Sequence, residues 1–349
     1  MKAFNQNWKY ILLLLLFVLI SYLSLLAVYH IASDGSAFLT LGIFSNSLFV
    51  KAGLLFILYY ASDVLRFYYA LKAINVTIPM KYMTGLAFVN VFVSNITPSA
   101  TGGGFVQIYL LNKKGVSIGA ATAGSSIRTA LPIMFFSIAT PIILIFDQNI
   151  DKVFPNRNMG VYIFIMLAFD LLAIWFVTRL IRHPEKIVHV MVGIKSRFEK
   201  RITREDSKFL TFMDHLILET SLFSQHFMMY IHGDKRYVFL SVFFTFTFLF
   251  SLFLFPYLLI QDLNPEVSLA GIVLTQIVIT TVMYFAPTPG AAGIAEAAFV
   301  ALFASYVNHS DIVSLTFAWR LFTIYIGVLI GLVVFYFQIM KKREKLDLT

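Results

Sequence analysis

Cysteine is absent from the 349 residues. That excludes a disulfide framework, a zinc–thiolate or iron–sulfur site and a cysteine nucleophile. Charge is scarce as well: 13% of residues are Asp, Glu, Lys or Arg, about half of the ~25% that covers a soluble surface. A soluble enzyme is thereby excluded. Histidine occurs seven times, each time in a loop, near the end of an apolar run or in the polar region 179–236. These positions cannot assemble a Ser–His dyad or a histidine metal site at mid-membrane depth, and no cofactor or metal is expected. What the sequence does hold is 59% hydrophobic residues, with 37 Phe and 17 Tyr. At ~20 apolar residues per span, the length suits one integral membrane domain crossing several times.

The first apolar run, Tyr10–Val28, is longer than the ~7–15 residues of a signal-peptide core and is expected to be a retained span with a cytoplasmic N-terminus. Uninterrupted runs follow at Leu48–Leu71, Ile118–Phe146, Val161–Val177, Tyr237–Ile260 and Ile312–Met340. Two further stretches are broken: Met83–Leu111 by Thr97-Pro98-Ser99-Ala100-Thr101-Gly102-Gly103-Gly104, and Leu269–Val307 by Pro287-Thr288-Pro289-Gly290-Ala291-Ala292-Gly293. If each broken stretch crossed once, Lys113-Lys114 and the basic region 179–236 would lie outside, against the positive-inside rule. If each is a hairpin that leaves by the face it entered, 22 of the 27 Lys and Arg fall on the inner side, Arg66 among them. The half-hairpin Met83–Ile96 would reach only ~21 Å as a helix, short of a ~30 Å hydrocarbon core. Backbone broken at that depth needs protein or a watery cavity around it.

The expected fold class is therefore an all-α polytopic membrane protein, built as an inverted-topology repeat with two broken or re-entrant helical hairpins. A single domain 1–349 would hold a first repeat at 48–146, a second at 237–340 and a cytoplasmic basic region at 179–236. Each repeat runs span, broken hairpin, then a long span with one arginine. Pro98 precedes Arg128 by 30 residues and Pro289 precedes Arg320 by 31. Inverted repeats whose broken helices meet near the midplane are a transporter architecture. The hairpin tips comprise Thr97, Pro98, Gly102, Gly103 and Gly104, and Pro287, Pro289, Gly290 and Gly293. An unpaired arginine at mid-depth costs at least ~2.5–3.5 kcal/mol, so Arg128 and Arg320 each need an acid, water or an anionic ligand. Asp63, Asp170 and Glu296 are candidate ion-pair partners. The other reading has Arg128, Arg320, Glu296 and Gln107 in a cavity that binds a phosphate-bearing lipid head group. Both readings stay open.

Asn95-Ile96-Thr97-Pro98-Ser99 with Gly102-Gly103-Gly104 and Lys113-Lys114-Gly115-Val116-Ser117, and then Pro287-Thr288-Pro289-Gly290 through Gly293 to Glu296, resemble the two signatures of the lysylphosphatidylglycerol synthase transmembrane family. This is the flippase-like domain of the bacterial multiple peptide resistance factor. The resemblance covers essentially the whole chain. It implies a membrane fold that moves aminoacylated phosphatidylglycerol between leaflets, with Pro98, Gly102, Gly103, Arg128, Pro289, Gly293, Glu296 and Arg320 at matching positions. Ala291-Ala292 replaces an expected glycine, which leaves room for another head group. The sequence ends nine residues after Met340, so a stand-alone member without the soluble synthase domain is expected. Lipid aminoacylation, the phosphatidylglycerol lysyltransferase activity that the family name suggests, is not credited to this chain alone.

Between 179 and 236, apolar residues recur at helical spacing through Ile187, Met191, Ile194 and Phe198, and again through Phe209, Phe212, Met213 and Leu216. Basic residues lie between, which suits interfacial helices on an anionic leaflet or a plain inner loop. The function expected is translocation of a phospholipid or glycolipid in the bacterial cytoplasmic membrane, with both termini cytoplasmic. The alternative is an accessory role in lipid aminoacylation or glycolipid synthesis. Expected partners are membrane lipid, a separate lipid synthase and a second copy of the chain, but not nucleic acid.

Overall fold

The computed structural model describes residues 2–32, 41–146, 184–199, 207–308 and 310–340, with isolated helical positions between 168 and 179. Asp170 and most of the run 161–177 lie outside the described residues. The described residues form helices and turns: α1 (Lys2–Ala32), α2 (Asn46–Ala73), α3 (Met80–Ile96), α4 (Thr101–Asn112), α5 (Ile118–Phe146), α6 (Pro184–Glu199), α7 (Ser207–His232), α8 (Lys235–Leu263), α9 (Leu269–Tyr284) and α10 (Ile294–Phe303). The last run is α11 (Ile312–Arg320) and α12 (Ile326–Phe335), each followed by a π-helical segment, Leu321–Tyr325 and Tyr336–Met340. Five stretches are long and apolar enough to cross a membrane: Asn46–Ala73, Ile118–Ile145, Lys235–Leu263, Pro289–Tyr306 and Ile312–Gln338. Pro289–Tyr306 is composite, made of a tight turn, α10 and a closing turn. The chain is an all-α polytopic membrane protein.

The centre of the molecule is an antiparallel pair, α2 with α8. Ser45 caps α2 by accepting from Leu48 N, and its own N–H donates to Asp262 at the far end of α8, 2.7 Å away. Rings zip the pair: Tyr59 stacks on Phe248 at 4.7 Å and Tyr69 on Phe244 at 5.7 Å between centroids. Offset aromatic pairs add to plain burial, which gives the high Phe and Tyr content a structural use. The outer stripe of α2, Val50, Leu54 and Ile57, is about two-thirds exposed, whereas Ser62, Asp63 and Arg66 are buried. Apolar side chains thus face out and polar ones in, the arrangement that lipid requires.

Both broken stretches double back. At the open end of the first, Tyr82 Oη donates to Leu110 O at 2.8 Å; at the open end of the second, Asn264 Nδ2 donates to Tyr306 O at 2.9 Å. Each hairpin leans on the other half of the chain: α3 packs on α12, and α9 packs on α5, where the Thr140 and Thr281 hydroxyls bond at 2.6 Å. The two tips pack against one another. Breaks are tighter than the sequence suggested, because Gly102–Gly104 already belong to the first turn of α4. The reversal falls instead on Ser99 (φ 51°) and Ala100 (φ 54°) in the first tip, and on Gly290 (φ 58°), Ala291 (φ 56°) and Gly293 (φ 87°) in the second. Gly290 is also close to its neighbours: a Cβ there would stand 2.8 Å from the Phe17 ring and 3.0 Å from Asn95 Oδ1.

Within the region 179–236 the described residues form α6 and α7. α6 and α7 pack together, with Lys195 and Asp214 paired at 2.6 Å, and α7 packs on α5. There the Glu219 carboxylate accepts from Gly119 N in the opening turn of α5.

The α3–α12 contact relies on small residues. A Cβ on Gly331 would collide with the Phe88 carbonyl and stand 2.7 Å from Phe92 Cβ. Gly331→Leu is expected to cost ~1–3 kcal/mol by overpacking. It should appear as a lowered thermal unfolding temperature in detergent. Leu329→Ala, at an outward position that is 61% exposed, should leave that temperature nearly unchanged.

Candidate functional site

Asp63 and Arg66 stand three residues apart on one face of α2 and meet Arg128 from α5. Arg128 Nη2 donates to both Asp63 oxygens, at 2.8 and 2.6 Å. Arg66 donates from Nε to Oδ1 at 2.8 Å, and its Nη2 lies 2.6 Å from the same oxygen. Arg66 Nη1 also reaches the Arg128 carbonyl at 3.4 Å. Each guanidinium lies near a ring: Arg66 Cζ is 4.0 Å from the Phe248 centroid and Arg128 Cζ 5.2 Å from that of Phe67. Asn90 on α3 completes the shell, its amide oxygen accepting from Arg128 Nη1 at 3.0 Å and its nitrogen donating to Gly103 O at 3.1 Å. All three charged residues are at least nine-tenths buried. Among the described residues two guanidiniums share one carboxylate, a formal charge of +1.

The second arginine is held differently. Arg320 Nε donates to Glu296 Oε1 at 2.8 Å, and the other Glu296 oxygen caps α10 by accepting from Gly293 N at 2.7 Å. Arg320 Nη1 and Nη2 reach the carbonyls of Gly290 and Ala291 at 3.3 and 3.4 Å. The pair has side chains about 1% exposed and is locally neutral. It satisfies the carbonyls that the reversal at the second tip would otherwise strand, as buried backbone requires.

Between the tips lies a cavity of about 570 Å³. The first tip contributes Ser99, Ala100 and Thr101 to its wall, the second Thr288, Gly290 and Ala291, and the interior Arg66, Arg128, Asn90 and Gln107. Of the residues that the sequence singles out, Arg128, Gln107, Gly104 and Gly290 line it. Thr97, Pro98, Gly102 and Gly103 shape the first tip from behind: Pro98 opens its turn, and Thr97 Oγ1 accepts from Gly102 N at 3.0 Å. Pro289 and Gly293 shape the second, with Pro287 exposed just before it.

Arg320 and Glu296, the other two residues that the sequence offers as lipid ligands, meet at the second tip. They pair with each other behind the second tip and do not line the cavity, because the strained tip carbonyls and the α10 N-terminus take up their hydrogen bonds. Asp63 is a partner of Arg128, as expected. The sequence places Arg66 among the inner-side charges near a span end, yet it is buried in the cluster. An Asp-x-x-Arg pair inside an apolar run was the available signal, since i,i+3 residues share a helix face. Among the described residues no group of three or more His, Asp or Glu could hold a metal ion.

Removing the shared acid should cost more than removing one of its partners. Asp63→Asn leaves two buried guanidiniums facing each other and is expected to lose ~3–5 kcal/mol of stability. Arg66→Gln keeps a one-to-one pair and should lose less. Unfolding of the purified variants in detergent ranks them.

Comparison with known proteins agrees with this architecture. A protein described as a UPF0104 membrane protein from Archaeoglobus fulgidus is 22% identical over 262 residues, covering 74% of this chain and 76% of that one. The profile of the lysylphosphatidylglycerol synthase TM region matches residues 10–331, which include every helix of the two hairpins and both buried arginine sites. The chain belongs to the lysylphosphatidylglycerol synthase TM region family.

Proposed function

We propose that this protein carries a phospholipid or glycolipid between the leaflets of the bacterial cytoplasmic membrane, holding the phosphate of the head group in the cavity between the hairpin tips. The observation that carries the reading is the excess positive charge among the described residues beside the cavity. Arg66 and Arg128 share Asp63 and both line the cavity. A buried excess charge in low dielectric is costly, and a phosphate placed against it relieves that cost while gaining charge-assisted hydrogen bonds. Membership of a family named for a lipid synthase's membrane region supports a lipid ligand.

The proposed route uses the hairpins as two half-gates. The two-repeat reading, 48–146 and 237–340 within one domain, gains support from the crossed packing of α3 on α12 and α9 on α5. In this reading the two hairpins, whose tips touch, enter from opposite faces of the membrane. With the basic segments inside, Lys113 at the base of the first hairpin faces the cytoplasm and Glu266 at the base of the second faces out. The tips are short, and each is set by hydrogen bonds from its own hairpin or from Arg320. Parting of one tip from the other would open the cavity to one leaflet at a time.

Transport is tested by reconstituting the protein with fluorescent phospholipids and following transbilayer movement by quenching of the outer leaflet. Arg128→Gln and Arg66→Gln are each expected to slow movement by about tenfold or more, the scale of one lost charge-assisted contact. Equal movement in wild type, variants and protein-free vesicles overturns the reading.

The threading has its own test, and a chain without cysteine suits it. Lys113→Cys should react with an impermeant maleimide only after the cells are opened, and Glu266→Cys should react in intact cells. The reverse pattern would refute the proposed orientation.

A further inference from the structure

α5 is attached to the hairpins at two places. Its early residues Ala121, Ala123 and Ile127 share a buried cluster with Leu110 and Leu111 of α4. Farther along, the Phe136 ring meets that of Tyr284 on α9 at 5.0 Å, and Thr140 bonds Thr281. Between these attachments stand Thr129 and Ile133, which line the cavity and are nevertheless exposed. The same is true of Thr101 and Gly104 at the start of α4 and of Tyr284 at the end of α9. Residues that line a cavity and are also exposed mark its mouth. This mouth is framed by α4, α5 and α9, in the side of the molecule.

Its surroundings suit hydrocarbon. Thr129 comes eleven residues after Ile118, the start of α5, which is ~16 Å along the helix and about half of a ~30 Å core. Beyond Ile133 the exposed residues of α5 are Met134, Ile138, Ile142 and Ile145, all apolar. On α4 the residue after Gly104 is Phe105, 73% exposed. The hydroxyls at the rim are spent on their own chain: Thr129 Oγ1 donates to Ser125 O and Thr101 Oγ1 to Pro98 O, both at 3.0 Å. Such a rim needs no hydrogen bond from water, the condition for a surface that lipid touches.

Gly104 keeps the mouth clear. Of three consecutive glycines, a Cβ on Gly102 would stand 2.7 Å from Thr97 Cγ2, and one on Gly103 would collide with the Ser94 hydroxyl. A Cβ on Gly104 would meet nothing within 4 Å, although a helical glycine costs ~1 kcal/mol against alanine. Packing accounts for the first two glycines and not for the third. From the mouth and this open space we propose that a membrane lipid enters the cavity sideways, which rests on the lipid-binding reading of the same cavity and adds its route. The phosphate-bearing head group passes between Gly104 and Thr129 toward Arg128, while the acyl chains stay in the bilayer against Phe105, Ile133 and Met134. The occupant is then an amphiphile with membrane-resident chains and not a soluble phosphate.

Gly104→Leu fills open space and favours the helix. In vesicles of the full-length protein it should lose most of the transbilayer movement of a fluorescent phospholipid, without a lowered unfolding temperature. Gly53→Leu, the same change at an equally open position on α2 outside the cavity wall, should leave movement unchanged. The facing of the mouth is read without transport. Thr129→Cys, the only cysteine in the chain, carries a bimane whose emission should be quenched by phosphatidylcholine with a mid-chain nitroxide and not by iodide. Quenching by iodide alone, full movement in Gly104→Leu, or an equal loss in Gly53→Leu overturns the proposal. Release of entrapped glycerol phosphate at the rate of the lipid also overturns it, because a soluble anion has no chains to leave outside. Lost movement in Arg128→Gln beside full movement in Gly104→Leu would keep transport and sink the lateral route. Nitroxide quenching in a protein that moves no lipid would sink transport and leave the mouth facing the bilayer.

Discussion

One carboxylate, Asp63, holds two guanidiniums at the centre of this protein. In water such a triad would be trivial; inside a helical membrane protein it decides what can pack around it. Asp63 and Arg66 fix the face that α2 turns inward, and Arg128 draws α5 onto that face. Asn90 ties the same cluster to α3 and, through the Gly103 carbonyl, to the first turn of α4. The first hairpin is thereby anchored to the charge it would present to a ligand. Among the described residues the acid is outnumbered, and both guanidiniums border the cavity.

The other arginine shows the opposite solution with nearly the same sequence spacing. Arg320 has one acid to itself and two tip carbonyls to satisfy. The second tip turns through three residues at positive φ, Gly290, Ala291 and Gly293, which aims carbonyls where no helix can use them. A guanidinium behind the turn meets that need, and Glu296 couples the brace to the start of α10. The π segment that begins directly after Arg320 widens the last run where it passes the tip. Among the described residues no arginine bonds the carbonyls of the first tip, where the Thr97 hydroxyl accepts from Gly102 N. One hairpin is thus braced by an ion pair and the other by side-chain hydrogen bonds.

The aromatic content links these sites to the scaffold. Rings from α2 and α8 stack along an antiparallel seam, and Phe248 in that seam also carries the Arg66 guanidinium. Charge that would be expensive beside aliphatic side chains is less so against a ring face. The seam therefore stabilises the fold and tolerates the site.

Much of the architecture was legible in the order of residues. Apolar runs of membrane length, two Pro/Gly breaks at matching places and the distribution of Lys and Arg lead to helices, hairpins and their order, because lipid leaves backbone few alternatives. The breaks are narrower than their glycines suggest, since glycine is admitted in a helix's first turn as well as in a turn, and Gly102–Gly104 belong to one. Sequence alone also made Arg128 and Arg320 alike, for spacing records depth along a helix and not what stands across from it. Only the folded chain distinguishes them: it brings Asp63 and Arg66 from a separate helix to Arg128, and it aims the carbonyls of a strained turn at Arg320. The scarcity of charge was fixed by composition; which charges gather beside the cavity was decided by α2 and α5 meeting in the folded chain.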